Sequence, residues 1–203
     1  MWPEGNSMSS VIMLGDGAHA EVVRNCLTKS GHSVMGTFGA EHEDELKILC
    51  DHLEARGIDY GVHIGIGDNR TRSKLAAKQN GYKYASAISG HAVIEATAEV
   101  GDGSFIGPMA YLGLNVVIGK HTIINTGTLV DHDVSVGDFS HIAGNAYIAG
   151  GVSIGDLVLI GAGATVIEGI TVGSGITVGA GSVVVKSITK PGVYVGVPAT
   201  KIK

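Results

Sequence analysis

Two histidines and three aspartates gather in the stretch LVDHDVSVGDFSH, Leu129 to His141, whose neighbours are mostly Val, Ile, Gly, Ala and Thr. His132 and Asp133 stand side by side. A carboxylate beside an imidazole fixes its tautomer and favours its protonated form, as a general base requires. A pair of solvated turn residues would look the same, and residue type alone does not separate the two.

A second candidate lies near the start, where GDGAHA, Gly15 to Ala20, fits the pattern GxGxxA. Glycines so spaced let the backbone approach a phosphate at a helix N-terminus, although a tight turn without a ligand explains them equally well. A redox dinucleotide fold also wants an acid roughly 20 residues further on, at the end of its second strand. Here that region reads Met35, Gly36, Thr37, Phe38, Gly39, with no acid before Glu41. The pattern disfavours NAD and leaves another nucleotide open.

The elements around that turn alternate. Val11–Leu14 reads as a strand, and Val22, Val23, Cys26 and Leu27 form one face of a helix stopped near Gly31. Val34–Gly36 is a second strand. Asp44–Arg56 is a helix with Leu46, Leu49 and Leu53 on one side, and Tyr60–Ile66 is a third strand before a short helix to Asn80. Strands alternating with helices predict a parallel sheet.

The chain changes character near residue 87. From Ile88 to Thr189 it reads as seventeen unbroken hexads, each beginning with Ile, Val or Leu and each with Ala, Ser, Thr, Val or Ile in fifth place. A fixed period marks a repeat architecture. Period six fits a triangular parallel β-coil, one short strand and one corner per hexad, with three hexads to a turn. Third and fourth positions then lie at corners and point outward, which makes His91 and His121 surface residues and leaves His132 and Asp133 exposed. Adding one turn of 18 residues to His132 reaches Gly150. A glycine there offers a backbone N–H at the height of the imidazole, where it could hold an oxyanion.

Composition narrows the classes. The 203 residues suffice for one large or two small domains, with 14 Lys and Arg against 19 Asp and Glu and a net charge of −5. No basic patch points to nucleic acid. Mean hydropathy is positive, yet no apolar run approaches the roughly 18–20 residues of a spanning helix. Cys26 and Cys50 lack metal-ligand spacing and read as reduced thiols. The polar start shows no signal peptide, so a cytoplasmic location is expected. Met8 reads as a natural start, with Met1–Ser7 appended to it.

The hexads resemble those of the hexapeptide-repeat acyltransferases, which implies a left-handed parallel β-helix. With the first half included, the chain resembles the sialic acid O-acetyltransferase NeuD family, whose nearest members acetylate nucleotide-linked amino sugars of the bacillosamine and perosamine type. The matching stretches are Gly15–Ala20, Ile66–Arg72, Ile124–Asp133, Gly137–Ile142 and VGVPATKI near the C-terminus. Relatives usually end the second strand with acids that can contact the nucleotide, and Thr37 and Phe38 depart from that. The resemblance implies an α/β domain over 8–86 that binds a nucleotide-linked amino sugar, such as a 4-amino-4,6-dideoxy sugar for surface glycan synthesis. It implies a β-helix over 87–203 that uses acetyl-CoA and no metal, and a homotrimer with its site between subunits. His132 is then the base, Asp133 its orienting group and Gly150 the donor to the acetyl carbonyl. Asn125 and His141 line the same pocket, His141 nearer acetyl-CoA, and the small residues Gly161, Ala162, Gly179 and Ala180 let pantetheine lie along the coil. Gly15, Gly17, His19, Gly67, Asp68, Asn69 and Arg72 hold the nucleotide. A sugar O-acetyltransferase would use the same residues. A metal enzyme of the same coil would need three histidines converging across subunits, and a non-catalytic scaffold would bind no acetyl-CoA.

Overall fold

The structure, a computed structural model, describes residues 9–78 and 81–203. Met8 as the start and the helix end at Asn80 lie outside the described residues.

The first domain is a three-stranded parallel sheet with helices between its strands. Strand β1 (Ser10–Leu14) lies between β2 (Ser33–Phe38) and β3 (Gly61–Ile64), joined by α1 (Ala18–Lys29) and α2 (Glu43–Ala55). Helix α3 (Asn69–Lys78) follows. The third strand stops two residues short of the expected Ile66, because Ile66 to Asp68 turn the chain into α3. Helix α1 buries Ala20, Val23, Cys26 and Leu27, whereas Val22, expected on that face, is 46% exposed. The smaller Ala20 takes its place in the core. Both cysteines are free and buried. Among the described residues no helix is long and apolar enough to cross a membrane.

From Ala87 the chain winds into a parallel β-coil of about six turns, a left-handed β-helix. Its first face stacks Ala87–Ile88, Phe105–Ile106, Ile123–Ile124, His141–Ile142 and Leu159–Ile160; its second includes Leu129–Val130 and Tyr147–Ile148; its third includes Ser135–Val136 and Ser153–Ile154. From Ala87 to Val184 the strands pair with residues 18 positions away, as Leu129 does with Tyr147 and Ser135 with Ser153. The period thus becomes vertical stacking. First positions fill the interior, and from Ile106 to Val184 each is 3% exposed or less. At the corners, every fourth position from Gly103 to Gly181 has φ between 52° and 73°. Glycine takes half of these at no steric cost. Asn, Asp, His, Met, Phe and Leu hold the others in a strained conformation imposed by the ladder on either side.

The first domain sits on the first face of the coil. Val11, Met13, Ala20, Val23, Cys26 and Leu27 share one apolar cluster with Ala87, Phe105 and Ile123. That contact covers one face of the triangle and leaves the second and third free of the α/β domain.

Candidate active site

The second corner, between the second and third faces, carries His132 and Asp133. Asp133 takes the positive-φ fourth position at 58°, which turns its carboxylate back onto its neighbour. His132 Nδ1 lies 2.8 Å from Asp133 Oδ2, and Asn115 Nδ2 donates to Asp133 Oδ1 at 2.9 Å. Asp131 is fixed as well, its Oδ1 accepting the His132 backbone N–H at 2.8 Å and its Oδ2 the Tyr147 hydroxyl at 3.2 Å. The hydrogen bond to Asp133, followed by the charge of Asp131, raises the His132 pKa. Bonds from Asn115 and His132 lower that of Asp133. With Nδ1 held as the donor, Nε2 carries the lone pair and both side chains are 57% exposed. The arrangement can take a proton from a group in solution and hold it.

Gly150 stands over the ring, as the 18-residue step predicts. A Cβ on it would lie 2.7 Å from His132 Cε1 and 2.8 Å from Nε2. Among the described residues its N–H meets no acceptor, while its carbonyl accepts from Gly169 N–H at 3.0 Å. Gly150, its amide without an acceptor among the described residues, thus sits beside the free nitrogen of His132. Asn115 escaped the sequence reading, although the same step, taken downward from Asp133, lands on it.

The other residues expected at this site lie elsewhere on the triangle. Asn125 and His141 belong to the first face, under the α/β domain, with Asn125 Nδ2 and His141 Nε2 3.2 Å apart. The His141 ring is 6.4 Å from that of His19. Burial, then the charges of Arg72 and His19, lower the His141 pKa to about 4. Ala162 and Ala180 are exposed at the first corner, and Gly163 and Gly181 beside them face open space. Within one chain the second face therefore separates His132 and Gly150 from Asn125, His141, Ala162 and Ala180.

At the Gly15 turn, Gly15 adopts φ +115° and its N–H donates to Phe38 O at 2.7 Å, tying β1 to the end of β2. Gly17 caps α1 without a side chain, and nothing stands within 4 Å of where its Cβ would be. His19 packs edge-on against Phe105 at 5.4 Å, and its buried Nε2 has no hydrogen-bond partner. Gly67 lies against His19. Asp68 caps α3, its Oδ1 accepting the Thr71 N–H at 2.8 Å and the Thr71 hydroxyl at 2.7 Å.

Asn69 and Arg72 do something other than what their motif suggested. Arg72 is 1% exposed. Its Nε donates to His121 O at 2.7 Å, its Nη1 to Ile66 O and Gly67 O, and its Nη2 to Asn69 Oδ1, Phe139 O and Ser140 O. Asn69 Nδ2 donates to Val158 O at 3.0 Å. All five guanidinium protons are engaged, so the pair clamps the α/β domain to the third corner and Arg72 keeps no donor for a ligand. His121 corrects a second expectation. It is 4% exposed rather than superficial, held edge-on by Tyr84 at 4.3 Å and stacked on Phe139 at 5.1 Å. His91 is exposed, as its corner predicts. Among the described residues of one chain no three His, Cys, Asp or Glu side chains converge as a metal site.

Residues 10–79 match the PglD N-terminal domain family. The whole chain is similar to PerB of Caulobacter crescentus in complex with CoA and GDP-perosamine: 32% identity over 96% of this chain and 97% of that one, TM-score 0.85. A histidine-to-alanine variant of GDP-perosamine N-acetyltransferase from the same organism, with the same ligands, gives 31% over the same shares and a TM-score of 0.86. The acetyltransferase domain of PglB from Neisseria gonorrhoeae FA1090, in complex with acetyl coenzyme A, shares 27% identity over 96% of this chain and 99% of that one, TM-score 0.83.

Proposed function

The chain belongs to the hexapeptide-repeat acyltransferases that carry a PglD N-terminal domain, is an acetyltransferase, and, we propose, transfers acetyl from acetyl-CoA to the amine of a nucleotide-linked sugar with His132 as base. One observation carries the assignment of roles: the imidazole held on Nδ1 by Asp133 at 2.8 Å, with its Nε2 open beneath the unpaired N–H of Gly150.

The steps follow from that geometry. The sugar nitrogen attacks the thioester carbonyl, and the Gly150 N–H hydrogen-bonds the developing oxyanion. His132 Nε2 takes a proton from the attacking nitrogen as the C–N bond forms. The C–S bond then breaks, and the protonated imidazole returns its proton to the departing sulfur. Asp133 holds the ring throughout and is itself held by Asn115. No cysteine lies in the coil, so nothing there offers the thiol an acyl-enzyme would need.

The split between the second corner and the first face supports a site shared by two subunits of a trimer. One subunit supplies His132, Asp133 and Gly150; its neighbour supplies Asn125, His141 and the small residues Ala162 and Ala180 as a track for pantetheine. The second face and its flanking corner suit such packing, for Val93, Leu114, Leu129, Tyr147 and Ile167 are all more than a third exposed there. The Gly15–Gly17 turn, His19 and Gly67 would receive the nucleotide, while Asp68 caps α3 at the edge of that cleft.

The test is product analysis with acetyl-CoA and UDP-, dTDP- and GDP-linked 4-amino sugars, set against sialic acid. An N-acetyl product supports the reading, and acetylation of hydroxyls alone overturns it. Light scattering that gave a monomer at micromolar concentration would remove the shared site.

A further inference from the structure

A cavity of about 560 Å³ lies at the third corner, separated from His132 by the third face. It opens between α3, the segment that follows that helix, and the corners of three successive turns. The rings of Tyr82, Tyr84, His121 and Phe139 line it, and Ala76 and Ala77 of α3 leave room that larger side chains would fill. Lys83 and Lys120 stand against Asp102 and Asp138, so the charges of the wall cancel. The most enclosed of these groups is His121, 4% exposed. Its ring is stacked on Phe139 at 5.1 Å and met edge-on by Tyr84 at 4.3 Å, which fixes its orientation. Its Nδ1 is buried against Gly103, where a Cβ would collide with the ring, and has no hydrogen-bond partner among the described residues. The ring therefore meets the cavity through the edge that carries Nε2. Burial, then the charge of Arg72, holds its pKa down to about 4, so this edge is neutral near pH 7. Asp138 Oδ1 accepts the Lys120 backbone N–H at 2.7 Å, which leaves Oδ2 for an occupant of the cavity.

We propose that this cavity is an effector site, apart from the site of acetyl transfer, that binds the base of a purine nucleoside or nucleoside monophosphate. The lining selects that chemistry. Small-molecule sites are concave, mostly apolar and of this size, with a few polar groups that fix orientation. Four rings suit a planar ligand with π-faces, and the volume suits a double ring better than a single one. The edge of a purine carries donors and acceptors side by side without net charge. It matches ammonium donors from Lys83 and Lys120, acceptors on Asp102 and Asp138, and the Nε2 edge of His121. A compact anion such as free phosphate would meet two carboxylates in the same wall. A ligand here touches α3 and the coil at once, next to the bonds from Arg72 to the carbonyls of His121 and Phe139. It therefore binds the arrangement in which the α/β domain is seated on the coil, and stabilises it by mass action.

The test is calorimetry of the full chain, already saturated with acetyl-CoA, against adenosine, AMP, guanosine and GMP. At least one is expected to bind with a Kd below about 1 mM, and to raise Tm in proportion to its occupancy. Equal affinity for a nucleoside and its monophosphate would show that the base alone is read, and tighter binding of the monophosphate would add a contact to the rim lysines; both support the site. Ala77→Trp fills the cavity from an exposed helix position and should weaken binding about 10-fold or more, the scale of a lost base-stacking contact. Asp138→Asn keeps the Oδ1 acceptor for Lys120 while removing the charge, and should weaken it by about 10-fold, the scale of a hydrogen bond to a charged acceptor. Both variants should keep wild-type acetyl-CoA affinity and a ligand-free Tm near wild type. Failure of all four probes to bind overturns the proposal, as does binding that survives either variant undiminished or that acetyl-CoA displaces. None of these outcomes bears on the nucleotide-sugar reading.

Discussion

Gly150→Ala isolates the geometry of the base more cleanly than removal of the base itself. Gly150 has an ordinary φ, so alanine strains no backbone, and the whole effect falls on the ring beneath. The new methyl would lie 2.7 Å from Cε1, 2.8 Å from Nε2 and 3.3 Å from Nδ1 of His132. Carbon prefers about 3.5–4.0 Å to such atoms, so the imidazole must move by roughly 1 Å. A shift of that size lengthens the 2.8 Å bond to Asp133 beyond about 3.5 Å, where it ceases to orient the ring. Displacement of a reacting group by roughly 1 Å can cost about 10²-fold in rate.

The expected outcome is therefore a fall in kcat/KM of about 10²-fold, measured by release of free CoA thiol. The pH profile should change as well. Loss of the Asp133 bond removes the main cause of the raised His132 pKa, so the acid limb should move to lower pH. Thermal stability and acetyl-CoA affinity should stay close to wild type, because a corner position is altered and not the aliphatic column. Wild-type kcat/KM with an unmoved acid limb would refute the reasoning, since it would mean that residue 150 does not stand over the working imidazole.

His132→Ala should lower kcat by about 10²–10⁴-fold with acetyl-CoA affinity unchanged, whereas Asp133→Asn should cost less and shift the acid limb of kcat/KM downward, both read in steady-state profiles. Arg72→Met removes every donor of the clamp and orphans several buried carbonyls at about 1–3 kcal/mol each; calorimetry should show a loss of roughly 3–5 kcal/mol. His19, His63, His121 and His141 have pKa values lowered to about 4, first by burial. Their unfolded forms bind protons more readily, so the stability they lend is complete above about pH 6.5 and is lost as pH falls toward 4. By pH 5 the loss is about 2 kcal/mol per histidine, and chemical denaturation at pH 5 and 7.5 should show it; equal stability at both would mean that these rings are not buried neutral.

The coil was legible because its physics is local and repeated. Each hexad meets the same demand, an aliphatic inward and a small or branched residue beside it, so the period writes itself into the sequence. The 18-residue step that follows from it placed Gly150 over His132 and would have placed Asn115 under Asp133. What stayed hidden depends on contacts between segments that no period relates. Arg72 stands in a motif that reads as ligand-binding, yet its partners are carbonyls of Phe139 and Ser140, more than 60 residues away and identical in sequence terms to any other carbonyl. His121 obeys the outward rule for its corner and is buried because Tyr84, from the segment after α3, and Phe139 lie against it.

The same distinction explains why the residues proposed for acetyl-CoA and the proposed base look like neighbours in sequence and are not neighbours in the chain. Asn125 and His132 are seven positions apart, which on a triangular coil is just over one side. Two residues so placed are turned to different faces, and no adjustment of side chains brings them together. Under the proposed shared site, a second copy of the chain would present its first corner to this subunit's second and supply both halves without bending either. The half-buried ring of His141, its pKa lowered, and the exposed ring of His132, its pKa raised, then differ for one reason. The first is covered by its own α/β domain, whereas the second stands at a corner that domain does not reach.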